Sequence, residues 1–165
     1  RRAELPPGAT MGHLVRLLAL LEETPAAGPT GLAAVLAALA PRLPRRGLVF
    51  VLSDGLDDPA ALAAALGLLR RRRQDARLLL VRDADEVDFP FSGGIEFTGL
   101  EAEPALRVDA DRVRRLYGEA ARAHYAGLEA SCRAAGIPVA HLRTGEDPGL
   151  AVTRILADTG RGGRG

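Results

Sequence analysis

Four side chains able to bind or polarise lie within six residues, Ser53, Asp54, Asp57 and Asp58, directly after the apolar run Leu48-Val49-Phe50-Val51-Leu52. A run of that kind opened by Gly47 reads as a strand buried on both faces. Open α/β sheets place their ligands just beyond the carboxyl ends of such strands. A carboxylate and hydroxyls converging there suit a hard divalent cation such as Mg2+ or Mn2+. Asp54 is therefore the first candidate ligand, with Ser53, Asp57 and Asp58 as candidate binding residues beside it. The same residues have plain structural uses. Asp54 reads equally as a turn carboxylate accepting backbone N–H groups, and Ser53 as a backbone-bonding turn residue. Asp58 reads as the N-cap of a helix with Pro59 at its first position, and Asp57 as a capping or dipole residue. Thr30, in Gly28-Pro29-Thr30-Gly31, reads first as the N-cap of another helix.

Other chemistries find less support. A metal-dependent hydrolase or phosphoryl-transfer enzyme could be built on Asp54 with Asp57 or Asp58. Nucleic-acid binding could use Arg70-Arg71-Arg72-Arg73 and the RGGRG tail, but 22 basic against 21 acidic residues leave a net charge of +1. That balance gives no general positive field for phosphate binding, so only a local patch could act. The Arg run ends a helix, where cations meet the negative end of the dipole, and no aromatic residue interleaves with it for stacking. His13, His124 and His141 stand at no metal-binding spacing, and the single Cys132 permits neither an internal disulfide nor a thiolate cage. A nucleophile elbow, a P-loop and a dinucleotide fingerprint are all missing from the sequence.

The elements that must position these residues follow from periodicity. Thr10 to Glu23 carries Leu14, Leu17, Leu18 and Leu21 at helical spacing, with Thr10 as N-cap and Pro25 as stop. A second helix runs from about Thr30 to Ala40. The strand at 48–52 is followed by a helix from Pro59 to Arg73 and a second apolar strand at 77–82, half of a βαβ rhythm that makes the two strands parallel neighbours. Segment 83–94 reads as loop, and 95–98 with 105–108 as a small hairpin inserted into that rhythm. A long helix starts at Asp109 or Asp111 with a stripe of Val113, Leu116, Tyr117, Ala120, His124, Leu128, Cys132 and Ala135, closed by Gly136. A third strand at 137–142 and a helix at 149–157 complete an α/β layered sheet with helices on both faces. Residues 1–158 are expected to form one domain and 159–165 a disordered tail. A strand as apolar as 48–52 is not expected at a sheet edge, so further strands are expected upstream of Arg1 or from a partner chain.

The segments LPPGATMGHLVRLLALLEETPAAGPTGLAAVL, SDGLDDP, DADEVDFPF and GIPVAHLRT together resemble the C-terminal half of a bacterial family, domain of unknown function fifty-eight. That family is von Willebrand factor A-like and often encoded beside MoxR-type AAA+ ATPases. The resemblance runs from about Leu5 to Leu156. It implies a three-layer, Rossmann-like parallel sheet truncated at its N-terminus, with the hairpin as an insertion. It also implies a divalent-cation site in which the Thr position matches Thr30 and the Asp position matches Asp54. The Asp-x-Ser-x-Ser element of such sites is not present, and Gly31 stands where relatives often have Asp, so the site is incomplete in this chain.

The expected function is a non-enzymatic protein-interaction module with a partial Mg2+ or Mn2+ site, acting with a protein partner that the resemblance implies is a MoxR-type ATPase. Dimerisation through strand 48–52 is a second expectation. No nucleic-acid partner is expected and no apolar stretch is long enough to span a membrane. A cytoplasmic location is expected for this chain, and the same resemblance implies membrane-anchored forms among full-length relatives.

Overall fold

The computed structural model describes residues 5–24, 31–44, 46–98 and 104–157. Three strands, β1 (Leu48–Ser53), β2 (Asp75–Arg82) and β5 (Val139–Arg143), form a parallel sheet in the order β1-β2-β5. A separate antiparallel pair, β3 (Gly94–Phe97) and β4 (Leu106–Asp109), is the inserted hairpin. The helices are α1 (Met11–Glu23), α2 (Leu32–Leu39), α3 (Pro59–Arg71), α4 (Ala84–Asp88), α5 (Ala110–Ala134) and α6 (Pro148–Ala157).

Strand periodicity divides the layers. Val49 and Val51 of β1 pair in register with Ala76 and Leu78 of β2, and with Leu80 they point to the side covered by α3 and α5. Leu62, Leu66, Leu69, Leu78, Leu80, Leu128 and Cys132 are fully buried there, and α2 adds Leu36 and packs on α3. The opposite face carries Phe50, Arg77 and Leu79. Helix α6 covers it over β2 and β5, with Ile155 buried.

Arg77 is the unexpected member of that second layer. Arg77 is 1% exposed near the start of β2; its Nη2 donates to Asp75 Oδ2 at 2.6 Å and its Nε to Asp75 Oδ1 at 3.2 Å. Its Nη1 donates to the Ile155 carbonyl of α6. A buried cation needs both an ion pair and hydrogen bonds to offset desolvation, and this residue has both.

Local sequence accounts for most of the boundaries. Thr10 Oγ1 accepts the His13 N–H at 3.1 Å and starts α1. Asp58 Oδ1 accepts from Ala61 N at 2.7 Å, with Pro59 opening α3. Asp109 caps α5 through Asp111 N and Arg112 N. Gly136, at φ +67°, ends α5 in the left-handed region that favours glycine.

Two expectations are corrected. Segment 83–94 is not all loop, because Asp83 accepts the Asp85 N–H at 2.9 Å and nucleates the short helix α4. The apolar stripe of α5 does not stay buried for its whole length. Leu116 is 58% exposed, and the buried residues of that helix are Ala110, Tyr125, Leu128 and Cys132, because the core formed by α3 and the sheet packs against its second half. Strand β1 lies at an edge of the described sheet, with its outer side unpaired among the described residues. The tail expected at 159–165 lies outside the described residues.

Candidate functional site

The carboxyl ends of β1 and β2 and the middle of α5 meet at one point. The loop after β1 turns sharply there: Gly55, at φ +77°, has so little space that an added Cβ would lie 2.6 Å from Leu80 Cδ2 and 3.1 Å from Leu128 Cδ2. Only glycine fits both the conformation and the gap. Two consecutive residues of α5 hold this loop. Tyr125 Oη donates to the Asp54 carbonyl at 3.0 Å, and His124 Nε2 lies 2.7 Å from the Gly55 carbonyl, to which its N–H donates.

Of the candidate residues, Ser53, Asp54, Asp57 and Asp58 lie in this loop, and their side chains are turned to backbone. Asp54 is exposed; its Oδ1 accepts from Leu56 N at 3.1 Å and receives a longer 3.4 Å bond from Ser53 Oγ. Ser53 Oγ in turn accepts from Gly55 N at 3.0 Å. Asp58 caps its own helix, as expected. Asp57 caps a different one: its Oδ2 accepts the Leu32 N–H at 3.1 Å across 25 residues of sequence. Helix α2 has Gly31 at its N-cap position, with no side-chain bond from that residue, so Asp57 supplies the missing acceptor. Thr30 lies outside the described residues.

This geometry bears directly on a divalent cation. Hard cations take six or more oxygen ligands, whereas the loop offers the Asp54 carboxylate with one oxygen already engaged. Asp57 and Asp58 are committed to helix N-termini. Among the described residues no group of three or more His, Cys, Asp or Glu side chains converges on a point. The described residues therefore do not form a cation cage.

Sequence reasoning missed the cation of this site. Arg82, last residue of the central strand β2, places its guanidinium carbon 3.9 Å from the centre of the Tyr125 ring. Its Nε is buried without a hydrogen-bond partner among the described residues. Burial pushes the Tyr125 phenol above its ordinary range, opposed by the Arg82 charge and reinforced by Glu86 and Asp54. Burial and Glu86 also raise the Tyr117 phenol, again opposed by Arg82. The signal available in the sequence was an arginine at the end of an otherwise apolar strand.

Beside the site, the hairpin is fixed by an aromatic cluster. Phe89, 6% exposed and at φ +47°, packs against Tyr117 at 5.0 Å, Phe91 at 5.3 Å and Phe97 at 6.3 Å between ring centres. Asp83 accepts from Thr144 Oγ1 at 2.7 Å, tying α4 to the end of β5, and Arg143 pairs with Asp88 of α4.

The model of the family of proteins of unknown function DUF58 matches residues 2–127. The chain belongs to that family. The match covers the loop after β1, Arg82, the hairpin and the first part of α5, up to and including His124 and Tyr125. No curated protein and no solved structure matches this DUF58 chain.

Proposed function

We propose that this DUF58 chain is a non-enzymatic protein-interaction module whose docking surface includes the free side of β1 and helix α1. The observation that supports it is exposed apolar surface in an otherwise packed domain. On the face where α6 covers β2 and β5, Leu48 and Leu52 of β1 are 49% and 63% exposed. Helix α1 buries none of its residues, and Leu14, Leu17, Leu18 and Leu21 form an exposed stripe along it. Exposed apolar side chains in such number on a folded domain mark interaction surfaces, and an edge strand unpaired among the described residues offers backbone donors and acceptors as well.

The partner that the family resemblance suggests is a MoxR-type AAA+ ATPase, and a second copy of the chain paired through β1 is the alternative occupant. A Mg2+ or Mn2+ ion at Asp54 and Thr30 is not required by this reading and carries no step of it. The test uses the full-length protein with Leu48→Lys and Leu52→Lys introduced together. Both residues are exposed, so the fold should survive, as circular dichroism would verify. Binding to the purified ATPase and self-association by sedimentation velocity are then compared with wild type. Loss of either interaction supports the reading; unchanged behaviour in both, or no interaction at all in the wild type, overturns it.

A further inference from the structure

We propose that the carboxyl end of β2 is an oxyanion-binding site built on Arg82, which takes a carboxylate or a phosphate group. The inference does not depend on the β1 surface. It begins with placement: β2 is the central strand of the parallel sheet, and Arg82 is its last residue, at the end of the sheet where α/β folds bind ligands.

The second step is the state of the guanidinium. It forms no ion pair and no hydrogen bond among the described residues, yet it is held in place. The Tyr125 ring lies 3.9 Å beneath it, and that ring is itself anchored by the bond from its hydroxyl to the Asp54 carbonyl. A stacked guanidinium has already lost much of the side-chain freedom that binding would otherwise cost. It presents a planar fork matched to two oxygens of a carboxylate or phosphate. Other cations near this end of the sheet are engaged: Arg143, opposite Arg82 in the β2–β5 register, pairs with Asp88, and Arg114 bonds to the Phe91 carbonyl and Asp111. Among the described residues Arg82 is held but has no ion-pair partner. An arginine whose Nε is buried without an acceptor needs an explanation.

The surrounding charges set what can bind. Asp54 and Glu86 are exposed and near enough to act on the Tyr125 phenol, but neither reaches ion-pair distance of Arg82. They oppose an anion from longer range, while a bidentate contact acts at hydrogen-bond distance, where Coulomb attraction is largest. The site therefore selects anions that can reach the guanidinium closely, and removing the Glu86 charge should strengthen it.

The test follows the Arg82 Nε–Hε resonance and the ring resonances of Tyr117 and Tyr125 in the full-length protein, at constant ionic strength maintained with sodium chloride. Acetate and inorganic phosphate are titrated separately. The expected result is a saturable shift with at least one of them, the tighter anion naming the carboxylate or the phosphate as the natural group. Arg82→Gln should abolish the response of both tyrosine rings. Glu86→Gln, at an exposed position where folding is not at risk, should lower the dissociation constant about threefold, the effect of one nearby surface charge. Shifts that stay linear, that match those from chloride alone, or that persist in Arg82→Gln would mean an adventitious ion only and overturn the proposal. Leu48→Lys with Leu52→Lys should leave the titration unchanged, which separates failure here from failure of the β1 surface.

Discussion

The Tyr125 hydroxyl donates to the Asp54 carbonyl at 3.0 Å, so the long helix holds the loop that carries Ser53, Asp54, Asp57 and Asp58. Tyr125→Phe keeps the ring and removes that bond. It should lower stability by about 1 kcal/mol, seen as an earlier urea midpoint with unchanged slope. A change in slope instead would mean that the loop is not held in the native state.

Gly55 is the tighter constraint in the same loop. Gly55→Ala places a Cβ 2.6 Å from Leu80 Cδ2 while the backbone is at φ +77°. Strain at a left-handed position and overpacking against a buried leucine each cost about 1–3 kcal/mol. Gly55→Ala is expected to be more destabilising than Tyr125→Phe in the same denaturation assay, and equal effects would contradict the packing described.

Asp57 acts away from its own helix. Asp57→Ala should remove the acceptor for Leu32 N and cost about 1 kcal/mol, the usual value of a lost N-cap, whereas Asp57→Asn should retain most of it. Hydrogen exchange would show where the loss falls: amides of α2 should open more readily, while those of α3, capped by Asp58, stay protected. Faster exchange in α3 alone would reverse the assignment.

These cases show what the sequence carried and what it did not. Strand and helix positions were readable because apolar period, caps and breakers are local: Thr10, Asp58 with Pro59, and Gly136 each act within a few residues. The hairpin at 94–109 was readable for the same reason. Asp57 was read correctly as a capping residue, but its helix is 25 residues away in sequence, a distance no local pattern encodes. The α5 stripe failed because periodicity gives a face but not where its partner ends, so Leu116 and Tyr117 were placed with Leu128 and Cys132. Arg77 and Arg82 are hidden by their neighbours: RLLLVR reads as one apolar strand at 77–82, and nothing local tells that one of its end residues is buried beneath α6 and the other lies over a tyrosine.

Asp83 gives a pH-dependent prediction. Its carboxyl is held below the ordinary value of 3.8, first by the Thr144 hydroxyl and then by the Asp85 N–H. A lowered folded-state pKa contributes stability that is present above about pH 4 and lost as pH falls through the folded value. Thr144→Val should therefore raise the Asp83 pKa toward 3.8 in a carboxyl NMR titration, and should weaken the acid dependence of the α4–β5 contact. An unchanged titration would show that Thr144 does not donate to Asp83 in solution.

Cys132 gives the opposite dependence. It is fully buried in the main core between α5 and the sheet, and burial, with a smaller contribution from Glu129, pushes its thiol up from 9.0 to about 11. Between those values the unfolded chain has released the proton and the folded chain retains it, so stability should fall as pH rises across that interval. The tyrosines also titrate there, which makes the wild type alone uninformative. The difference between wild type and Cys132→Ala isolates the thiol: the two stabilities should converge as pH rises from 9 toward 11. At neutral pH the thiol should react with a disulfide reagent only through opening of the core, at a rate that rises with urea. Rapid reaction in the native state, or a stability difference independent of pH, would place Cys132 outside the core and with it the packing of α5 on β2.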